Sequence, residues 1–222
     1  MIILGLTGSI GMGKSTAARM MRRLGLPVHD ADRVVHRLLG RGGGAVGAVG
    51  AVFGPDILTG GRVDRQKLGA RVFTDGAALK RLEGILHPLV RAAEHQFLAQ
   101  AARRRVRAVA LDIPLLFETG GERRVDATLV VTAPPFVQRS RVLARPGMSG
   151  EKFSAILKRQ VPDREKCRRA DFVVRTGLGK GPALRDLKRI ITAVRGRTGT
   201  HWPPRHPLPF SGTRHAPNRS RY

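Results

Sequence analysis

Residues Gly8-Ser9-Ile10-Gly11-Met12-Gly13-Lys14-Ser15 follow the spacing G-x-x-x-x-G-K-S, which lets a backbone curl around phosphate oxygens. Glycines at 8, 11 and 13 allow successive N–H groups to turn inward, and a helix that starts near the lysine adds the positive end of its dipole. Lys14 then reaches the β and γ phosphates of a nucleoside triphosphate as a point charge. The Ser15 hydroxyl offers a hard oxygen to Mg²⁺. The preceding apolar run and the following helical pattern put this loop where such chemistry requires it, between a strand and a helix.

A phosphate loop does not identify the acceptor. The guanine-reading pattern Asn-Lys-x-Asp is missing from the sequence, which excludes the usual GTPase arrangement. A kinase for a small hydroxyl compound needs a carboxylate at the acceptor and a mobile lid carrying arginines. Asp32, at the carboxyl end of a short second strand, can orient and partly deprotonate a hydroxyl as general base, with Asp30 as the cap of the next helix or a group that orients Asp32 from behind. The alternative is that both carboxylates only cap that helix. Arg139, Arg141 and Arg145 precede the break at Pro146-Gly147, as in a hinged lid whose guanidiniums close on the transferring phosphoryl group. At this level the acceptor stays open between several hydroxyl compounds, nucleoside monophosphates among them.

The elements that must position these groups follow from periodicity. Ile2–Leu6 reads as a buried parallel strand and Ser15–Leu24 as an amphipathic helix closed by Gly25. A strand at Pro27–His29 and a helix at Arg33–Leu39 come next, then a glycine-rich connection at 40–44. Residues 45–104 read as helical without a strand, with a turn at Gly60-Gly61 and a new helix beginning at Pro88. Strands return at Val106–Ile113, Ala127–Thr132 and Asp171–Val174, and Phe136–Lys166 is a charged helical region broken at Pro146, Gly147 and Gly150. Strands alternating with helices predict an α/β fold with an open parallel sheet and right-handed crossovers.

Composition sets the outer limits. The 222 residues suffice for one sizeable domain, and 41% hydrophobic with only 5% aromatic residues points to a core of Leu, Val, Ile and Ala. Met1–Leu6 breaks at Gly8, far short of the roughly 20 apolar residues that span a bilayer. A single cysteine, Cys167, fits a reducing compartment, so a cytoplasmic protein without a membrane partner is expected. The formal charge of +25 admits a nucleic-acid surface or an enzyme for anionic small molecules. Lys and Arg are spread along the chain without interleaved aromatics, so no specific nucleic-acid partner is expected.

The series of segments resembles the dephospho-CoA kinase family in order and spacing. The similarity is carried by GLTGSIGMGKST, DADRVVH, GRVDRQKLGARVF at 61–73, LEGILHPLV at 82–90, DIPLLFE at 112–118, RVLARPGMS at 141–149 and RRADFVV at 168–174. It implies a P-loop NTPase-type parallel sheet flanked by helices, with a helical acceptor-binding insert and a lid. Within a domain at 1–194, the nucleotide-binding core falls at about 1–30, 105–135 and 168–194, the insert at about 31–104 and the lid at about 136–167. Residues 195–222, rich in Pro, Gly, His and Arg, read as a basic, disordered tail.

The implied reaction is ATP-dependent phosphorylation of the ribose 3′-hydroxyl of dephospho-CoA. The implied residues are Gly11, Met12, Gly13, Lys14, Ser15 and Thr16 on ATP, and Asp32, Lys14 and Arg145 in catalysis. The resemblance also puts Asp32 and His87 at the acceptor and Asp112 near Mg²⁺, while the residue reading itself adds the lid's Arg139 at the acceptor and Ser15 on Mg²⁺. One departure stands out: Val174-Arg175-Thr176-Gly177 lacks the acidic or amide residue that the family carries near the nucleotide base.

Overall fold

The computed structural model describes residues 1–73 and 75–203. Among them, five strands form a parallel sheet: β1 (Ile2–Thr7), β2 (Val28–Asp30), β5 (Ala108–Asp112), β6 (Ala127–Thr132) and β7 (Phe172–Arg175), in the order β2-β5-β1-β6-β7. All six residues of β1 are buried, as a strand covered by helices on both faces must be. β1 pairs with β5 on one side and β6 on the other, so the chain reverses its direction of growth at β1. The crevice outside the carboxyl ends of such strands is where open α/β sheets bind ligands. Leu6 and Asp30 both register with Asp112, which brings the ends of β1, β2 and β5 to one level.

Helix α1 (Lys14–Arg23) buries Ala17, Ala18 and Met21 against one face of the sheet, beside α9 (Lys180–Arg195), which contributes Leu187, Ile191 and Val194. The other face is covered by the end of α5 (Gly76–Arg103) through Leu98 and Ala101. A separate apolar cluster built on Val49, Phe53, Ile57, Leu82 and Leu86 holds together α2 (Ala31–Leu38), α3 (Val46–Phe53), α4 (Arg65–Phe73) and the first half of α5.

The segment between β2 and β5 departs from expectation twice. Gly60 and Gly61 take φ of +57° and +75° and close a hairpin of β3 (Leu58–Thr59) and β4 (Arg62–Val63), two residues each, where no strand was predicted. Only side-chain packing of Leu58 and Val63 into the cluster marks it, which no period reveals. Second, Pro88 begins no helix but lies inside the 28-residue α5. The missing proline N–H forfeits one bond, while α5 is held by Leu82 and Leu86 before it and by Leu98 and Ala101 after it, and this packing outweighs the loss.

The chain after α9 also differs from the expected structureless tail. Asp126 Oδ1 accepts the N–H groups of Thr200 at 2.6 Å and His201 at 3.1 Å, while its Oδ2 accepts Ile3 N–H at 2.7 Å. One carboxylate thereby staples residues 200 and 201 to the start of β1, and Trp202 packs against the cluster on that face. The rest of that expectation, residues 204–222, falls outside the described residues.

Three helices fill the segment between β6 and β7: α6 (Pro135–Leu143), α7 (Gly150–Lys158) and α8 (Asp163–Arg169). Lys166 on α8 is 0% exposed, and its Nζ lies 2.7 Å from Glu118 Oε1, the oxygen that also accepts Val161 N–H at 2.9 Å. Lys166→Met leaves the Glu118 carboxylate buried without its cation, a loss of about 3–5 kcal/mol. In a chain of this length it should lower the melting temperature by about 10 °C. Adding Glu118→Gln should recover part of that loss, as coupled partners do; equal melting of wild type and Lys166→Met in a thermal scan rules the pair out as a strut.

Candidate active site

At the carboxyl edge of the sheet the chain passes from Thr7 through Gly8–Gly13 into α1. Gly13 sits at φ +89° as the residue before the helix, and no side chain caps α1, so its first N–H groups are left facing the cleft. Gly8 has no room for a side chain, since a Cβ there would meet Val131 O at 2.7 Å. Gly11 is restricted both ways: φ is +79°, and a Cβ would lie 2.6 Å from Val142 Cγ2 and 3.0 Å from Gln138 O. Gly11→Ala should therefore displace the loop against α6. The expected results are at least a tenfold weaker nucleotide affinity and a stability loss of about 2 kcal/mol, read by nucleotide titration and urea unfolding.

Around this loop lies a cleft of about 770 Å³, and Lys14, Ser15, Thr16, Asp32 and Arg145 share its wall. Lys14 Nζ donates to Asp112 Oδ1 at 2.6 Å. An ammonium has three donors, so this contact orients Lys14 and leaves two for phosphate oxygens. Asp112 is 3% exposed. Burial pushes its carboxyl above the ordinary carboxylate range, the Lys14 ammonium opposes that shift, and the nearby Asp30 and Asp32 charges add to it. Three carboxylates thus feel one another across the ends of β2 and β5, a place where a cation is welcome.

The Asp30 side chain accepts Arg33 N–H at 3.0 Å and caps α2. Asp32, two residues on, is exposed toward the cleft and is left out of the capping. Of the two readings of this pair, capping describes Asp30 and the cleft contains Asp32.

Met12 is 2% exposed and turns its N–H back to Ser9 O at 3.1 Å, so its side chain belongs to the core under the loop. His87 is exposed on α5, one position round the helix from the buried Leu86, and lies off the cleft wall. Arg139 is likewise exposed and off the wall. Helical geometry gives the reason: Gln138 and Val142 of α6 face inward, and Arg139 lies about 200° round the axis from Arg141, which does reach the cleft.

Several contacts had no signal in the sequence. Gln138 Nε2 donates to Ile10 O at 2.8 Å and Ile10 N–H donates to Gln160 Oε1 at 3.1 Å, so glutamines from both ends of the α6–α7 segment grip the two peptide groups that flank Ile10 in the loop. Arg141 donates to Thr176 Oγ1 at 3.0 Å and Thr176 O at 2.9 Å, while Thr176 Oγ1 donates to Met12 O at 2.8 Å. Arg141 is therefore braced on the strap after β7, and Arg145 lines the cleft without such an anchor among the described residues. The Val174–Gly177 departure thus supplies a loop support at Thr176, and Arg175 lies off the cleft wall.

The donor set suits a hard divalent cation. Ser15 offers a hydroxyl on the cleft wall, while Asp112 lies behind Lys14, paired with it and off that wall, and among the described residues no three His, Cys, Asp or Glu side chains form a metal-binding group. A cation there takes most of its shell from phosphate and water oxygens, as Mg²⁺ does. Among the described residues, no helix is long and apolar enough to cross a membrane.

Comparison with known proteins gives the family and the fold. Residues 2–178 match the family model described as dephospho-CoA kinase. A dephospho-CoA kinase of Paramagnetospirillum magneticum is 64% identical over 196 residues, 88% of this chain and 92% of the relative. One from Mesorhizobium japonicum is 57% identical over 90% of this chain and all of its own length. Among solved structures, a Thermus thermophilus protein is similar with a TM-score of 0.75 at 38% identity, covering 86% of this chain and 96% of its own. The dephospho-CoA kinase from Campylobacter jejuni gives a TM-score of 0.60 at 25% identity, with the same two coverages.

Proposed function

Because the chain belongs to the dephospho-CoA kinase family, we propose that its cleft transfers the γ-phosphoryl group of ATP to the ribose 3′-hydroxyl of dephospho-CoA, with Asp32 as general base. ATP-dependent phosphorylation of dephospho-CoA in CoA biosynthesis is the activity of the family. The observation that carries the residue assignment is that Asp32, Lys14 and Arg145 wall the same cleft as the phosphate loop.

In this reading the 3′-oxygen attacks the γ phosphorus, the bond to the β–γ bridging oxygen breaks, and the hydroxyl proton passes to the Asp32 carboxylate as ADP leaves. Lys14, held by Asp112, stabilises negative charge on the β and γ oxygens. Arg145 supplies a guanidinium from the segment after α6, and Arg141, braced on Thr176, keeps that segment against the loop. Ser15 and Asp112 would hold a Mg²⁺ ion, which would supply positive charge to offset that of the phosphates. The proposed domain roles follow: α2–α5 with the β3–β4 hairpin form the acceptor side, α6–α8 the lid, and the five-stranded sheet with α1 and α9 the nucleotide core.

The test is ADP release from Mg-ATP with dephospho-CoA as acceptor, and the product mass checked for CoA. Dephospho-CoA-dependent turnover to CoA is expected. Faster turnover of a nucleoside monophosphate in the same assay overturns the acceptor assignment.

A further inference from the structure

Next to the reaction cleft, on the outer side of the edge strand β2, lies a second recess of about 380 Å³ that the transfer chemistry leaves unused. Its walls include His29 and Asp30 of β2, Arg33 and Arg37 of α2, Arg22 of α1 and Phe97 of α5. Three guanidiniums face one carboxylate there. Arg22 Nη2 lies 3.6 Å from Asp30 Oδ2, whereas Arg33 and Arg37 form no ion pair among the described residues.

The base of the recess holds a second, independent feature. His29 is 7% exposed, its ring lies 5.2 Å from the Phe97 ring, and its Nε2 has no hydrogen-bond partner among the described residues. Leaving a buried polar atom unpaired is costly, so a histidine that borders a cavity with a ring nitrogen sealed and unpaired is one that an external partner can relieve by drawing the ring toward it. Burial holds the imidazole below its ordinary pKa, with Asp30 opposing the shift and Arg37 reinforcing it. The neutral ring offers one donor and one acceptor. A ring N–H beside guanidinium forks is a donor set for phosphate oxygens, which Arg binds in bidentate fashion.

We infer that this recess holds phosphate groups of an organic phosphate, and that its ligand is the diphosphate bridge of the acceptor. Position carries the second half: Asp30 walls the recess and Asp32, two residues on, walls the reaction cleft, so an acceptor whose hydroxyl meets Asp32 can lay its diphosphate against Arg33 and Arg37. That half rests on dephospho-CoA being the acceptor.

Arg33 and Arg37 are exposed on α2 and alanine is a strong helix former, so Arg33→Ala/Arg37→Ala spares the fold. Calorimetry on the full chain then uses four probes: dephospho-CoA, adenosine (which lacks the diphosphate), inorganic pyrophosphate and ATP. The double variant should bind dephospho-CoA at least tenfold more weakly, with adenosine and ATP affinities unchanged, and pyrophosphate should compete with dephospho-CoA on the wild type. Unchanged dephospho-CoA affinity in the double variant overturns the inference. Pyrophosphate binding that needs both arginines without competing with dephospho-CoA assigns the recess to a free phosphate compound and overturns the acceptor half. Wild-type binding of dephospho-CoA through these arginines, with no phosphorylation of it, upholds the recess and sinks the proposed reaction instead.

Discussion

Lys14→Met is expected to lower kcat/KM by about a thousandfold, through loss of the one ammonium that the phosphate loop directs at the β and γ phosphates. The same change removes the partner of Asp112, which is 4% exposed at its side chain and 2.6 Å from the ammonium. Two effects are thereby mixed, a chemical one and a structural one, because the buried carboxyl must then stay protonated or stand unpaired. The double variant Lys14→Met/Asp112→Asn separates them. Its melting temperature should return toward that of wild type while turnover stays lost. Lys14→Arg should rescue little, since a planar fork does not replace a compact point charge inside a tight loop. Steady-state kinetics of Lys14→Met within tenfold of wild type would remove Lys14 from the catalytic set.

Asp32→Asn should lower kcat about a hundredfold or more and leave the ATP dissociation constant within about twofold. The asymmetry has a structural basis. Asp32 takes no part in capping α2, which Asp30 does, and it is exposed toward the cleft, so the amide fits without disturbing the helix or the loop. Asp30→Asn offers the contrast: it keeps an acceptor for Arg33 N–H and should retain most of the turnover while weakening the 3.6 Å contact with Arg22. Single-turnover measurements with dephospho-CoA, set beside nucleotide titration, distinguish loss of the chemical step from loss of binding. A normal single-turnover rate for Asp32→Asn refutes the general-base role.

Much of the site was legible because its chemistry is local in sequence. The phosphate loop is a run of consecutive residues whose glycines, lysine and serine follow from the need to wrap a backbone round phosphate, and a capping aspartate lies three residues before the N–H it binds. The strands were legible for the same reason, since a parallel strand buried on both faces is a short uninterrupted apolar run. Arg139, Arg141 and Arg145 illustrate the limit. All three lid arginines precede the same Pro-Gly break, but only the direction in which α6 is rolled against the loop, set by Gln138 and Val142 turning inward, brings Arg141 to the cleft and leaves Arg139 in solvent, and Arg145 reaches the wall from beyond the helix.

The phosphate-binding loop, the alternation that makes a parallel α/β sheet and the family resemblance that points to the acceptor can all be read without coordinates, because each is written in neighbouring residues or in a period. Tertiary structure alone decided which distant groups meet. Lys14 and Asp112 are 98 positions apart, Ile10 and Gln160 are 150 apart, and Met12 and Thr176 are 164 apart. Such contacts depend on strand order and helix rotation, which arise from packing the whole core, and no local pattern encodes them. The same holds for the recess at β2, where Arg22, His29, Arg37 and Phe97 come from four elements and acquire a common function only once the edge of the sheet brings them together.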